Sequence, residues 1–125
     1  TPGKAEKLAE EFGRFFPDTT IYPVDSGDAG AMTKELGLTD LLVNSTSGGM
    51  EGASGLEINI GALKESAAVY DLVYKPRETR LVKEAKALGH KAVGGLGMLL
   101  YQGALSFEIW TGENAPVDVM RKAIS

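Results

Sequence analysis

The run Leu41-Leu42-Val43, unbroken by any polar residue and closed by Asn44-Ser45-Thr46, restricts the fold more than any other stretch of the chain. A strand with one wet face would alternate apolar and polar residues. A short continuous run suits a strand covered on both faces, as in a parallel sheet. Parallel strands need long crossover connections, and these are usually helices. Residues 2–15 place Ala5, Leu8, Ala9 and Phe12 at helical spacing among lysines and glutamates, and residues 28–36 form a second, weaker helix. Between them, Thr20-Ile21-Tyr22-Pro23-Val24 is β-prone, but Pro23 has no N–H for a ladder, which makes it an edge strand.

Downstream the alternation continues. Residues 47–55 are loop by their Gly/Ser content, residues 67–74 form the next strand, and Pro76 stops it. Residues 78–88 return to helical spacing through Leu81, Val82, Ala85 and Leu88, and Gly89 stands where a left-handed C-terminal cap needs glycine. Lys91-Ala92-Val93 is a last short strand. Gly94-Gly95-Leu96-Gly97 then opens an apolar helix to about Trp110, expected to be buried, and Pro116 opens a final short helix. Strands alternating with helices define an α/β fold: a partial Rossmann-like, doubly wound, mostly parallel sheet with C-terminal helices. Ligands of such folds bind beyond the carboxyl ends of the strands, which directs attention to Asn44-Ser45-Thr46-Ser47. The first half of the fold, a strand running into a G-x-G-x-x-G turn that holds a pyrophosphate at a helix N-terminus, has no counterpart here. Thr1-Pro2 reads as an N-cap followed by proline at the first helical position, so the expectation is a sequence that starts partway through a larger fold.

Charge narrows the partners. Seventeen acids against thirteen bases give a net charge of -4, too little positive field to release phosphate counterions, so nucleic acid is not expected as a partner. Without cysteine there are no disulfides and no thiolate chemistry, which fits a reducing compartment. The longest apolar run, 96–105, is interrupted by Gln102 and falls short of the ~20 residues a membrane span needs. No basic segment followed by an apolar one opens the sequence, and a cytoplasmic protein is expected.

The side chains that stand out each have a plain structural reading beside a functional one. Gln102 puts a primary amide in an apolar helix, which costs free energy unless substrate or the helix itself satisfies it. Gly94, Gly95 and Gly97 are either turn chemistry or a place where a ligand approaches the backbone. Asn44, Ser45, Thr46 and Ser47 either cap a turn or border a ligand. Tyr74 is a strand-end packing residue or a hydroxyl aimed at a ligand. Asp71, inside a strand, reads as a buried acid satisfied by backbone donors. His90 follows Gly89 at a helix end, a solvated position or one near the helix dipole, and takes no catalytic role. Glu10, Glu11, Glu78 and Glu84 lie on solvent faces, and no metal-ligating constellation is present.

Three segments read together, Asn44-Ser45-Thr46-Ser47-Gly48-Gly49-Met50, Tyr70-Asp71-Leu72-Val73-Tyr74 and Gly95-Leu96-Gly97-Met98-Leu99-Leu100-Tyr101-Gln102-Gly103-Ala104, resemble the shikimate dehydrogenase family in order and spacing. The similarity covers essentially the whole sequence. It implies the C-terminal part of an NADP-dependent enzyme that reduces 3-dehydroshikimate to shikimate in aromatic amino-acid biosynthesis. Residues 1–93 would then be the C-terminal part of the NADP-binding domain, and 94–125 the helices that pack toward an N-terminal substrate domain. By the same resemblance, Thr1, Asn44, Thr46, Ser47, Leu72, Gly95 and Met98 border the cofactor, and Tyr74 and Gln102 reach shikimate. Thr1-Pro2-Gly3-Lys4 resembles the end of the family's Asn-Arg-Thr segment around the adenosine 2′-phosphate. The family's catalytic lysine and aspartate lie in its N-terminal domain and have no counterpart in this chain. Ser45 stands where alanine is usual. Close variants that use quinate or NAD, and a non-catalytic nucleotide- or protein-binding α/β module, stay open alternatives. Strand order 3-2-1-4-5-6 with the first and second missing would leave the Ile21 strand without a neighbour on its inner side and one edge of the Leu41–Val43 strand unpaired, so the chain is expected to form a homodimer or to associate with the missing N-terminal part.

Overall fold

The computed structural model describes residues 2–55 and 57–124. Thr1, one of the cofactor-bordering expectations, lies outside the described residues. Three short strands, β1 (Leu41–Asn44), β2 (Ala68–Asp71) and β3 (Lys91–Val93), form one parallel sheet in the order β1-β2-β3. The register places Val43 beside Tyr70 and Tyr70 beside Val93, and it sets Asn44 directly opposite Asp71 at the carboxyl end. Among the described residues five α-helices accompany the sheet: α1 (Pro2–Phe15), α2 (Ala29–Leu38), α3 (Arg80–Ala87), α4 (Leu96–Thr111) and α5 (Val117–Ala123).

Local chemistry explains the helix boundaries. Asp28 caps α2, its Oδ1 accepting from the Gly30 and Ala31 N–H groups, both at 2.9 Å. Thr79 caps α3 through a hydrogen bond from Val82 N–H to its Oγ1 at 3.3 Å, so α3 begins later than apolar spacing alone indicates. Gly89 follows α3 with φ +88, the left-handed conformation expected of it, and its N–H donates to Lys86 O at 3.0 Å. Pro116 stands at the N-cap of α5.

One face of the sheet carries the core. Val69 and Ala92 pack with Leu81, Val82 and Ala85 of α3, with Leu36 of α2, and with Ile60, Leu63 and Ala67 of the connection between β1 and β2. The opposite face is open: Leu41, Val43 and Val93 are 57%, 45% and 59% exposed. The expected two-sided burial of β1 is therefore only half met, because the described residues place no cover over that face.

Three further expectations change. Residues 20–24 form no strand; Pro23 removes a donor, and the sheet ends at β1. Tyr22 there donates its hydroxyl hydrogen to Glu35 Oε2 at 2.6 Å. The apolar helix α4 is not a buried helix, since only Leu100 and Ala104 are buried while Tyr101, Leu105, Ile109 and Trp110 are exposed. His90 is buried rather than solvated, with Nδ1 3.2 Å from Ala67 O. Among the described residues no helix is long and apolar enough to cross a membrane. The packing of α3 makes a direct test: Leu81→Ala should cost about 2–5 kcal/mol, read as a lower urea midpoint at unchanged slope.

Candidate functional site

Parallel strands that start level also end level, and here their carboxyl ends are bound together by side chains. Asn44 and Asp71, opposite each other in register, are 2% and 0% exposed. Asn44 Nδ2 donates to Asp71 Oδ1 at 2.9 Å, and the Val73 N–H donates to the same oxygen at 3.0 Å. Thr79 donates its hydroxyl hydrogen to Asp71 Oδ2 at 2.5 Å. Asp71 is thus the buried acid expected, but two of its three donors are side chains, and through Thr79 it reaches the first turn of α3. Outside Thr79, Lys86 Nζ donates to Glu78 Oε1 at 2.6 Å; this hydrogen bond and the lysine's charge hold the Glu78 carboxyl below its ordinary value. That pair is exposed and adds little to stability.

The network continues into the loop after β1. Asn44 Oδ1 accepts from the Thr46 N–H at 3.1 Å and from the Thr46 hydroxyl at 2.7 Å, while Asn44 Nδ2 also donates to Gly48 O at 3.0 Å. Gly48 N–H donates to Thr46 Oγ1 at 3.0 Å. A loop with so many glycines and serines would be floppy by composition, yet its first turn is tied to Asn44 of the strand by three hydrogen bonds and closed on itself by a fourth.

Two cavities flank this turn. One, of about 400 Å³, is lined by Ser45, Thr46, Met50, Glu51, Leu72, Val73, Tyr74 and Lys75. Its charged residues, Lys75 and Glu51, pair with each other at 3.1 Å, so the remaining lining is largely apolar with hydroxyls at one side. The other, of about 590 Å³, lies on the far side of Thr46, beside Ser26, Ser47, Gly48, Ser54 and Glu57.

Of the site residues singled out in the sequence, Thr46, Leu72 and Tyr74 meet in the first cavity, and Thr46 and Ser47 meet in the second. Asn44 stands behind them, its amide fully engaged. Gly95, Met98 and Gln102 follow on α4 and its N-cap and line neither cavity. Gln102 is exposed, so its amide carries no burial cost and its position needs no internal partner. Gly95 has a structural reason for being glycine: a Cβ there would stand 2.1 Å from Leu72 O and 2.5 Å from Leu72 C. Its N–H also donates to Val73 O at 3.0 Å, which locks the start of α4 against the chain leaving β2. The residues missed in the sequence are Thr79, Met50, Glu51 and Lys75. Two of them carried a signal: Thr79 as a capping residue before a helical run, and Met50 as the last residue of the family-like segment that starts at Asn44.

A parallel sheet with helices and a cavity beyond its carboxyl ends is the architecture of Rossmann-like nucleotide-binding domains. Residues 95–124 match the family described as Shikimate 5'-dehydrogenase C-terminal domain. The NADP(+) shikimate dehydrogenase of Methanopyrus kandleri is 44% identical over 99% of the chain, which covers 43% of that relative. The shikimate 5-dehydrogenase of Thermus thermophilus, solved in complex with NADP(H) and shikimate, superposes with a TM-score of 0.77 at 38% identity, over 99% of this chain and 42% of that one. The quinate dehydrogenase of Corynebacterium glutamicum, in complex with NAD, gives a TM-score of 0.83 at 29% identity, over 97% and 42%. The chain belongs to the shikimate dehydrogenase family and corresponds, along its whole length, to the C-terminal part of the family's members. It spans less than half the length of the curated relatives it matches.

Two glycines of α4 and its cap make a controlled comparison. Gly95→Ala should destabilise by about 3 kcal/mol, the upper end of the overpacking range, because backbone rather than a side chain would have to yield. Gly97→Ala, with nothing within 4 Å of its Cβ position, should be neutral or stabilising by up to about 1 kcal/mol. Thermal unfolding of the two variants checks both.

Proposed function

We propose that this chain is the C-terminal part of an NADP-dependent shikimate dehydrogenase, an oxidoreductase that reduces 3-dehydroshikimate to shikimate by hydride transfer. The observation that carries the reading is the meeting of Thr46, Leu72 and Tyr74, from segments of one family pattern, in a cavity beyond β1 and β2. The cavity suits one ring of a dinucleotide, with apolar walls for its faces and hydroxyls at its edge. On this reading Thr46, Ser47 and Leu72 border NADP, Gly95 lies near its nicotinamide with Met98 packed beside it, and Asn44 acts from behind by holding Thr46. Thr1 belongs to the 2′-phosphate end. Tyr74 and Gln102 present a hydroxyl and an amide to shikimate. NADPH, when bound, supplies the hydride. This chain's residues orient the ring and one side of the substrate, and the proton-transferring lysine and aspartate belong to a domain upstream. Residues 1–93 form the cofactor side and 94–125 the helices that pack toward that domain. The absence of cysteine fits a reducing compartment, and the cytoplasm is the location this reading implies.

The likeness to a quinate dehydrogenase bound to NAD favours one second reading, in which the intact protein takes quinate and NAD. Turnover by the full-length protein decides: shikimate-dependent reduction of NADP is expected, and a preference for quinate with NAD selects the alternative. The chain alone should give no turnover, because chemistry needs the acid and base at the reacting atoms. In the full-length protein Gln102→Ala should weaken shikimate by about 1–3 kcal/mol and leave NADP nearly unchanged. Equal losses for both ligands would place Gln102 in support of the helix. The isolated chain, with the open face of β1 and an unpaired edge, should self-associate, read as a mass above that of one chain by light scattering.

A further inference from the structure

The hydrogen bonds around Asn44 have a direction, and Asp71 is where it starts. Both oxygens of Asp71 accept: Oδ1 from Asn44 Nδ2 and Val73 N–H, Oδ2 from the Thr79 hydroxyl. Asn44 must therefore turn its NH₂ group toward Asp71, and Gly48 O, which also needs a donor, requires the same orientation. Its Oδ1 then faces Thr46, where the backbone N–H of Thr46 again demands an oxygen. Three partners agree on one orientation of the amide, but Thr46 and Gly48 belong to the loop that Asn44 itself holds, so Asp71 is the one that anchors the amide to the rest of the fold. The Thr46 hydroxyl, 2.7 Å from an oxygen that carries no hydrogen, must donate its only proton there. Gly48 N–H takes one of the two lone pairs on Thr46 Oγ1 at 3.0 Å. What remains is one lone pair and no proton, on an exposed residue that lines both cavities.

We infer that Asp71 is a positioning residue which, through Asn44, makes Thr46 Oγ1 a hydrogen-bond acceptor only, so that this position recognises an N–H or O–H group of the nucleotide and not a phosphate oxygen. The inference rests on the reading of this cavity as the nucleotide site. A phosphate oxygen is itself an acceptor and would face a lone pair, whereas a carboxamide NH₂ or a ribose hydroxyl supplies the missing proton. Asp71 touches no ligand in this scheme. Its burial and its three donors serve to keep the polarity of a group two hydrogen bonds away.

The test uses the full-length protein, with KM measured for NADP and for shikimate. Wild-type protein without shikimate-dependent NADP reduction would sink the functional reading itself, and the variants are compared once that activity is in hand. Thr46→Val should raise the NADP KM about tenfold, the size of one lost hydrogen bond, and move the shikimate KM by less than about twofold. Asp71→Ala should raise the NADP KM by a similar factor, but not further when combined with Thr46→Val, since both remove the same acceptor. Asp71→Asn should restore a KM within about twofold of wild type, because Val73 N–H keeps an oxygen turned toward Asn44 whether or not the group is a carboxylate. A merely structural Asp71 predicts additive effects and equal losses for both ligands, and that result overturns the inference. Should Asp71→Ala not fold, Asp71→Asn decides: a tenfold rise in NADP KM would mean that charge, not direction, matters. An unchanged NADP KM in Thr46→Val also overturns it. With the 3-acetylpyridine analogue of NADP, which lacks the amide N–H, disappearance of the Thr46→Val penalty assigns the carboxamide as the donor, and its persistence assigns a ribose hydroxyl or the adenine amino group.

Discussion

The hydrogen bond between Asn44 and Asp71 joins two strands at the end where they would otherwise separate. Backbone ladders hold β1 to β2 along their length, but a parallel pair diverges once its loops depart, and nothing in the ladder prevents it. A buried carboxyl group with three donors costs little only if all three stay in place, so the loop after β1, the chain leaving β2 and the first turn of α3 are held together or not at all. The cavity beyond the sheet inherits its shape from that arrangement. Its walls come from the same two departing segments.

The packing is lopsided. The face that carries Val69 and Ala92 is sealed by α3 and the β1–β2 connection, while the row Val43-Tyr70-Val93 looks outward. The apolar residues of α1 and the turn after it, Leu8, Phe12, Phe15 and Phe16, are exposed as well, with Phe12 and Phe16 stacked on each other at 6.2 Å between ring centres. Patches of this kind on a small α/β unit are surfaces that want cover. Relatives more than twice the chain's length have residues with which to supply it.

Much of the architecture is legible in the sequence because it rests on local signals. The run at Leu41, the helical spacing of Leu81, Val82 and Ala85, and Gly89 at a helix end each depend on neighbours within a few residues, and all stand where the pattern places them. The features that differ depend on partners elsewhere. The stretch at Ile21 has strand-like residues, but a strand exists only beside another, and none of the described residues pairs with it. The helix from Leu96 has the composition of a buried element yet, among the described helices and strands, packs only against α5, because burial is decided by what surrounds a helix rather than by its own residues. The position of His90 after a helix points to water, whereas a carbonyl of Ala67, twenty-three residues earlier, draws it inside. For the site, the family pattern marks Thr46, Leu72 and Tyr74, which the fold brings to one cavity. It marks Asn44 as a bordering residue, while the geometry makes it a support, and only the distances to Asp71, Thr46 and Gly48 show the difference.

Between Gly95 and the carbonyl of Leu72 there is no room for a single methyl group. The consequence is mechanical. The start of α4 lies backbone to backbone against the chain leaving β2, and that chain carries Leu72, Val73 and Tyr74 of the cavity wall. The far half of α4 meanwhile bears its unprotected apolar side chains, Leu105, Ile109 and Trp110, on a rigid lever of sixteen residues. The exposed apolar end of α4 and the cavity wall at Tyr74 thus belong to two segments that meet backbone to backbone at Gly95.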